Sequence, residues 1–347
     1  MTPKTGRSEF IARLLIAALA VVLIWVAWSL RSLLIIVMGA IVLAVLLRSI
    51  ADPVSRRTGL GTKSSTAIAV LLTLLLAGAS AWLFGTQVAA QFGQIAAIMP
   101  HSWDELREQA ERIPFATSVL DSLTQSEDLS TRLAWLMRMA GDAVTAFFLI
   151  CFGSIFLAAQ PRLYRDGVLQ LVPPGRRSLA GHAIDDAGRA LRLWLLGQLM
   201  SMMAVGLLTG IGLWLAGVPS PVALGLIAGL TEGIPYLGPI LGSFPGLLVA
   251  FTQSPMTALW ALVVYVAVQQ IEGNTLVPLI HRKMVSLPPA LTLFWIMAAG
   301  LLFGVLGLVF ATPILVVAYV LVKRLYIREA LDTQTSIPGE DREPTQS

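Results

Sequence analysis

Charge is what this sequence lacks. Only 13% of its 347 residues are Asp, Glu, Lys or Arg, against roughly 25% in soluble domains. Between Arg192 and Arg282 the scarcity is almost complete: His281 apart, the acidic and basic side chains there are two glutamates, Glu232 and Glu272. That excludes an ordinary soluble core and points to a chain built for lipid. The single cysteine, Cys151, excludes an intrachain disulfide and, in an apolar stretch, reads as a buried structural thiol. No H-E-x-x-H, G-x-S-x-G, P-loop, dinucleotide-binding or C-x-x-C pattern occurs in a suitable setting, so an enzyme is not expected, nor a cofactor. An intramembrane aspartyl protease needs two aspartates on facing spans, where this chain offers glutamates. Without a nucleotide motif, any pumping must draw on an ion gradient or a partner protein, or be passive flux. Basic stretches interleaved with aromatics are missing too, and nucleic acid is not an expected partner.

What the chain has instead is apolar sequence. It is 56% hydrophobic with a mean hydropathy of +0.78, and runs of about 20 apolar residues, enough to cross a bilayer, recur throughout. Spans are expected at 10–30, 32–47, 66–87, 139–159 and 195–216. The first has a basic start but is too long for a signal-peptide core, and reads as a retained span. The positive charges sort by side: Lys4, Arg7 and Arg13 precede the first span, and Arg48, Arg56, Arg57 and Lys63 follow the second. Six arginines lie within 161–192, and Lys323, Arg324 and Arg328 close the last apolar stretch. The positive-inside rule places all of these, and both termini, in the cytoplasm. Residues 93–138 carry seven acids against four arginines with apolar residues at helical spacing, and are expected as an amphipathic excursion on the outer side. His182, Asp185 and Asp186 imitate a metal cluster, but the neighbouring arginines argue for a connector helix, and no metal site is expected.

The domain organisation that follows is spans over 1–92, the excursion at 93–138, a span with its connector helix at 139–194, a C-terminal core at 195–325 and a polar tail at 326–347. In that core, 221–251 is too rich in glycine and proline for one plain helix, and a second interruption falls at Glu272-Gly273-Asn274 and Pro278. Breaks are expected at Gly233, Pro235, Gly238, Pro239, Gly273 and Pro278. If Arg282 and Lys283 lie inside with Lys323–Arg328, crossing parity makes 221–251 a re-entrant hairpin and 289–303 with 307–322 an out-and-back pair, for about eight crossings in an all-α polytopic membrane protein; a full crossing at 221–251 would instead put Arg282 and Lys283 outside. A carboxylate at membrane depth is costly, and broken helices expose backbone groups that bind ions or small polar solutes. Glu232, Tyr236, Gln269, Gln270, Glu272 and Asn274 are therefore the candidate transport-path residues, for a small polar solute or for H+ or Na+. The bland alternative is a carboxylate capping a broken helix or pairing with an arginine. A pore or scaffold formed by an oligomer is the rival from another class.

The segments GLIAGLTEGIPYLGPILGSFPGLLVA (225–250) and VQQIEGNTLVPLIHRKMVSLPPALTLF (268–294), followed by Gly304, Gly307 and Ala311-Thr312-Pro313, resemble the AI-2E family of bacterial membrane proteins. Tyr164, Arg165 and Gly197 fit as well; the likeness is dense over 195–322 and looser over 10–192. The resemblance implies a multi-pass protein of the bacterial inner membrane that exports the quorum signal autoinducer-2 or a related molecule. Sodium/proton antiport in some members and homo-oligomers, pentamers among them, are further implications. By position, the family's first element is Pro235, Tyr236, Gly238 and Pro239, and its second is Gln270, Glu272, Asn274 and Pro278. Glu232-Gly233 stands just before the first element and is not carried over from the family.

Overall fold

The structure, a computed structural model, describes residues 28–75, 129–234, 236–276 and 287–333, with isolated positions elsewhere. The expected first span lies largely outside these residues. So do 93–128, Pro235, Pro278, Arg282, Lys283 and all but the first positions of the C-terminal tail.

The described residues are helical throughout and contain no strand. In chain order the helices are α1 (Arg31–Thr58), α2 (Thr62–Leu75), α3 (Leu129–Ala159), α4 (Pro161–Gln170), α5 (Arg177–Leu215), α6 (Pro221–Thr231), α7 (Gly238–Gln253), α8 (Pro255–Ile271) and α9 (Pro289–Leu321). Four helices among the described residues are long and apolar enough to cross a membrane, or five if α3 and α4, bent by 89°, count as one broken span. The expected total of about eight includes segments outside the described residues.

Large apolar side chains point outward along these helices: Leu207, Ile211, Trp214, Phe244 and Phe251 are all more than half exposed. Such a surface suits hydrocarbon rather than water. The interior mixes small residues that let helices approach with a few large ones that fill it. Ala44, Ala51, Ala69 and Ala158 join α1, α2 and α3, and Val42, Ala190, Leu191, Trp194, Val316 and Val320 join α1, α5 and α9.

The expected connector helix and fifth span are one continuous helix, α5, of 39 residues. Nothing between Arg192 and Leu195 breaks the periodicity, so the charged end simply runs into the apolar one. Its charged end is tied to its neighbours. Arg165 on α4 donates two hydrogen bonds to Asp185, at 2.9 and 2.7 Å. Asp52 on α1 pairs with Arg48 and Arg192, while buried Asp186 pairs with Arg189 and with Arg324 beyond α9. Asp185 and Asp186 are thus committed to arginines.

The C-terminal core is a series of antiparallel helix pairs. Where α5 meets α6 the backbones nearly touch: a Cβ at Gly225 would lie 2.5 Å from the carbonyl oxygen of Gly206. Proximity of Ala228 to Gly242, and of Ala250 to Ala261, runs α6 against α7 and α7 against α8 in the same alternating sense. Pro245 sits inside α7 without ending it. α9 is itself a hairpin: Gly304 has φ 66 and ψ −145, a conformation glycine tolerates, and the Trp295 indole donates to the Ala311 carbonyl across the fold at 2.8 Å.

Candidate transport site

Two broken helices place the site. The 11-residue α6 rises only about 16 Å, too little to cross a hydrocarbon core of about 30 Å, so α6 and α7 enter and return on one side. Their tip is Glu232–Leu237, and Gln198 on α5 donates 2.8 Å to the Glu232 carbonyl there, satisfying a group that the end of α6 leaves open. Tyr236 has φ 66 at this tip and is 52% exposed. A bulky residue rarely adopts that backbone region.

The second break differs from the expected one. The chain does not stop being helical at Glu272; it widens into a π-helical turn over Glu272–Leu276. That turn carries the Glu272 side chain back into the bundle. Its Oε1 accepts from Ser201 on α5 at 2.7 Å, and its Oε2 accepts from Gln269 at 3.0 Å. Both donors are neutral. Glu232 and Glu272 are buried, 6% and 8% exposed, and stand near enough for the charge on one to act on the other.

Depth follows from α5. Ser201 lies nine residues after Arg192 and 14 before Leu215, or about 13 Å from the charged end and about 21 Å from the far turn. The two carboxyls are therefore inside the apolar zone. Beside them a cleft of about 350 Å³ opens between α5, α6, α7 and α8, with Glu232, Gln269, Gln270, Thr209 and Tyr265 among its lining residues.

The structure brings together Glu232, Glu272 and Gln269, with Gln270 at the cleft edge. Asn274 instead donates to Gln270 at 3.0 Å on an exposed face, and Tyr236 stands half exposed at the tip. Gly233 and Gly238 flank the tip, Pro239 opens α7 against the cleft, and Gly273 lies in the π turn. Sequence reasoning missed Ser201 and Gln198. A serine and a glutamine on an otherwise apolar helix were the available signal.

The family described as "AI-2E family transporter" matches residues 14–327. "Putative transport protein YueF" of Bacillus subtilis is 29% identical over 211 residues, which are 61% of this chain and 56% of that protein. "Putative transport protein YrrI" of the same organism is 32% identical over 174 residues, 49% of each. "Putative permease PerM" of Escherichia coli K12 is 24% identical over 227 residues, 65% of this chain and 64% of that protein. The chain thus spans about half the length of the first two relatives. A family match that runs from the first apolar stretch to the basic cluster after α9 covers every element of the site, and the chain belongs to the AI-2E transporter family.

Proposed function

We propose that this membrane protein moves a small polar solute of the autoinducer-2 type outward across the bacterial inner membrane, coupled to proton or sodium movement through Glu232 and Glu272. One observation carries the reading: two buried carboxyls, brought by two separate helix breaks, lie near each other inside the apolar zone with neutral donors around Glu272. Two bare like charges repel strongly at such depth, so the pair holds a proton or a metal cation between them. Binding or release of that cation changes the charge beside the adjacent cleft, which links ion occupancy to solute occupancy. A carboxylate serving only as a helix cap would sit on backbone N–H groups. Glu272 accepts instead from two side chains, one of them on another helix.

Both termini are assigned to the cytoplasm, and the working unit to a homo-oligomer, whose copy number mass measurement in nanodiscs reads directly. Purified protein in liposomes, with imposed pH or sodium gradients and a solute panel that includes autoinducer-2, tests the function. The expected result is saturable solute flux that follows one of the gradients. Flux that never saturates and ignores both gradients contradicts coupled transport and favours a pore.

A further inference from the structure

Two hydroxyls in the same cleft do nothing to hold the fold together. Thr209 on α5 is 0% exposed, and neither its Oγ1 nor the buried hydroxyl oxygen of Tyr265 on α8 has a hydrogen-bond partner among the described residues. Threonines in helices usually return their hydroxyl to a carbonyl one turn back, as Thr66, Thr73 and Thr231 do in this chain. Thr209 does not. The Tyr265 hydroxyl rests against Gly246, where any Cβ would collide with it, so α7 leaves room for a polar group that it does not bond. Buried polar groups without partners are uncommon in native proteins, and each calls for an explanation.

Their position supplies one. Tyr265 precedes Gln269 by one helical turn, about 6 Å along α8, and Thr209 follows Ser201 by two turns, about 12 Å along α5. Because α5 and α8 run in opposite senses, both displacements point away from the carboxyls toward the far turn at 216–220. Apolar Val205, Ala228 and Val268 line the cleft between the two polar ends. The cleft therefore has a carboxyl end and an uncharged hydroxyl end.

We propose that Thr209 and Tyr265 form a second binding station, one step outward from the carboxyl pair, whose hydroxyls are closed off in this structure and, once α7 moves off Tyr265, take the hydroxyl groups of a small uncharged solute. A hydroxyl both donates and accepts, so two of them match a partner that does the same. The absence of a charged side chain at this end favours a neutral ligand over an ion. This rests on the transport reading of the cleft and adds to it the residues that recognise the solute.

The test uses full-length protein in liposomes, with Cys151→Ala and a reporter, Ser243→Cys, on the cleft wall of α7. A small membrane-impermeant thiol reagent should modify the reporter. Glycerol, erythritol or ribose should slow that reaction, by about twofold at a concentration equal to the dissociation constant. Tyr265→Phe and Thr209→Val each remove one hydroxyl and keep the shape, so each should weaken the protection by about fivefold while leaving the thermal midpoint unchanged. The proposal is overturned if the reporter reacts only in unfolded protein or if none of the three solutes protects. Equal protection in either hydroxyl-free variant overturns it as well. Labelling needs neither gradient nor turnover, so failure of ion coupling and failure of this station are read separately.

Discussion

Asp186 is the residue on which the charged end of the bundle turns. It is 4% exposed, and it pairs with Arg189 one turn along α5 and with Arg324 beyond α9. Arg324 is itself mostly buried, whereas Arg189 is largely exposed. Asp186→Asn removes one counter-charge from a mostly buried guanidinium, and a loss of about 1–3 kcal/mol of stability is expected, read as a lower thermal midpoint in detergent. Asp185→Asn, at the exposed bidentate pair with Arg165, should cost no more than about 1 kcal/mol. Equal effects in the two variants would contradict the assigned difference in burial. Glu232 and Glu272 were legible in the sequence because nothing charged surrounds them. Their partners were not. Ser201 reaches Glu272 across 71 residues of chain, and a serine in an apolar helix has no pattern of its own. Asn274 and Gln270 were grouped with Glu272 by proximity. At the helix's end, however, Gln269 three residues back shares the inward face with Glu272, while Gln270, at the cleft edge, pairs with exposed Asn274.

Among the elements, α6 is the one most completely positioned by its neighbours. A Cβ at Gly225 would lie 2.5 Å from the Gly206 carbonyl, and one at Gly229 would lie 2.6 Å from the Met202 carbonyl. These are backbone contacts that cannot swing aside. Gly225→Ala should therefore push α6 off α5 and cost about 1–3 kcal/mol. Gly188→Ala lies on the same α5 with open space around it, and should be neutral or stabilising by up to about 1 kcal/mol. Thermal unfolding of the two variants side by side decides the point, and a neutral Gly225→Ala would contradict the close approach. The glycines and prolines of 221–251 announced a broken segment, and α6, the tip and α7 follow. The same signals could not say which break matters. Pro245 is absorbed within α7, while the interruption at Glu272 takes the form of a π turn, since one extra residue per turn re-aims a side chain without ending the helix. The boundary between connector and fifth span was drawn from charge alone, but helical geometry continues through it because no helix breaker stands there.

At the scale of the whole molecule, charge and break are kept apart. Ion pairs gather at one end, where α1, α4, α5 and the segment after α9 are tied together. The apolar zone carries the two hairpins, and the two glutamates lie where the hairpin tip meets α5 and α8. The broken helices thus stand apart from the ion-paired base. The central claim is that the carboxyl pair couples an ion to the solute, and Glu272→Gln tests it most directly. The substitution keeps the size, leaves an amide oxygen to accept from Gln269 and an NH2 to donate to Ser201, and removes the charge. Solute flux in liposomes, driven by the gradient that drives the unsubstituted protein, should fall to the level of protein-free liposomes while fold and oligomeric mass are retained. Undiminished gradient-driven flux in a correctly folded Glu272→Gln protein would contradict the account.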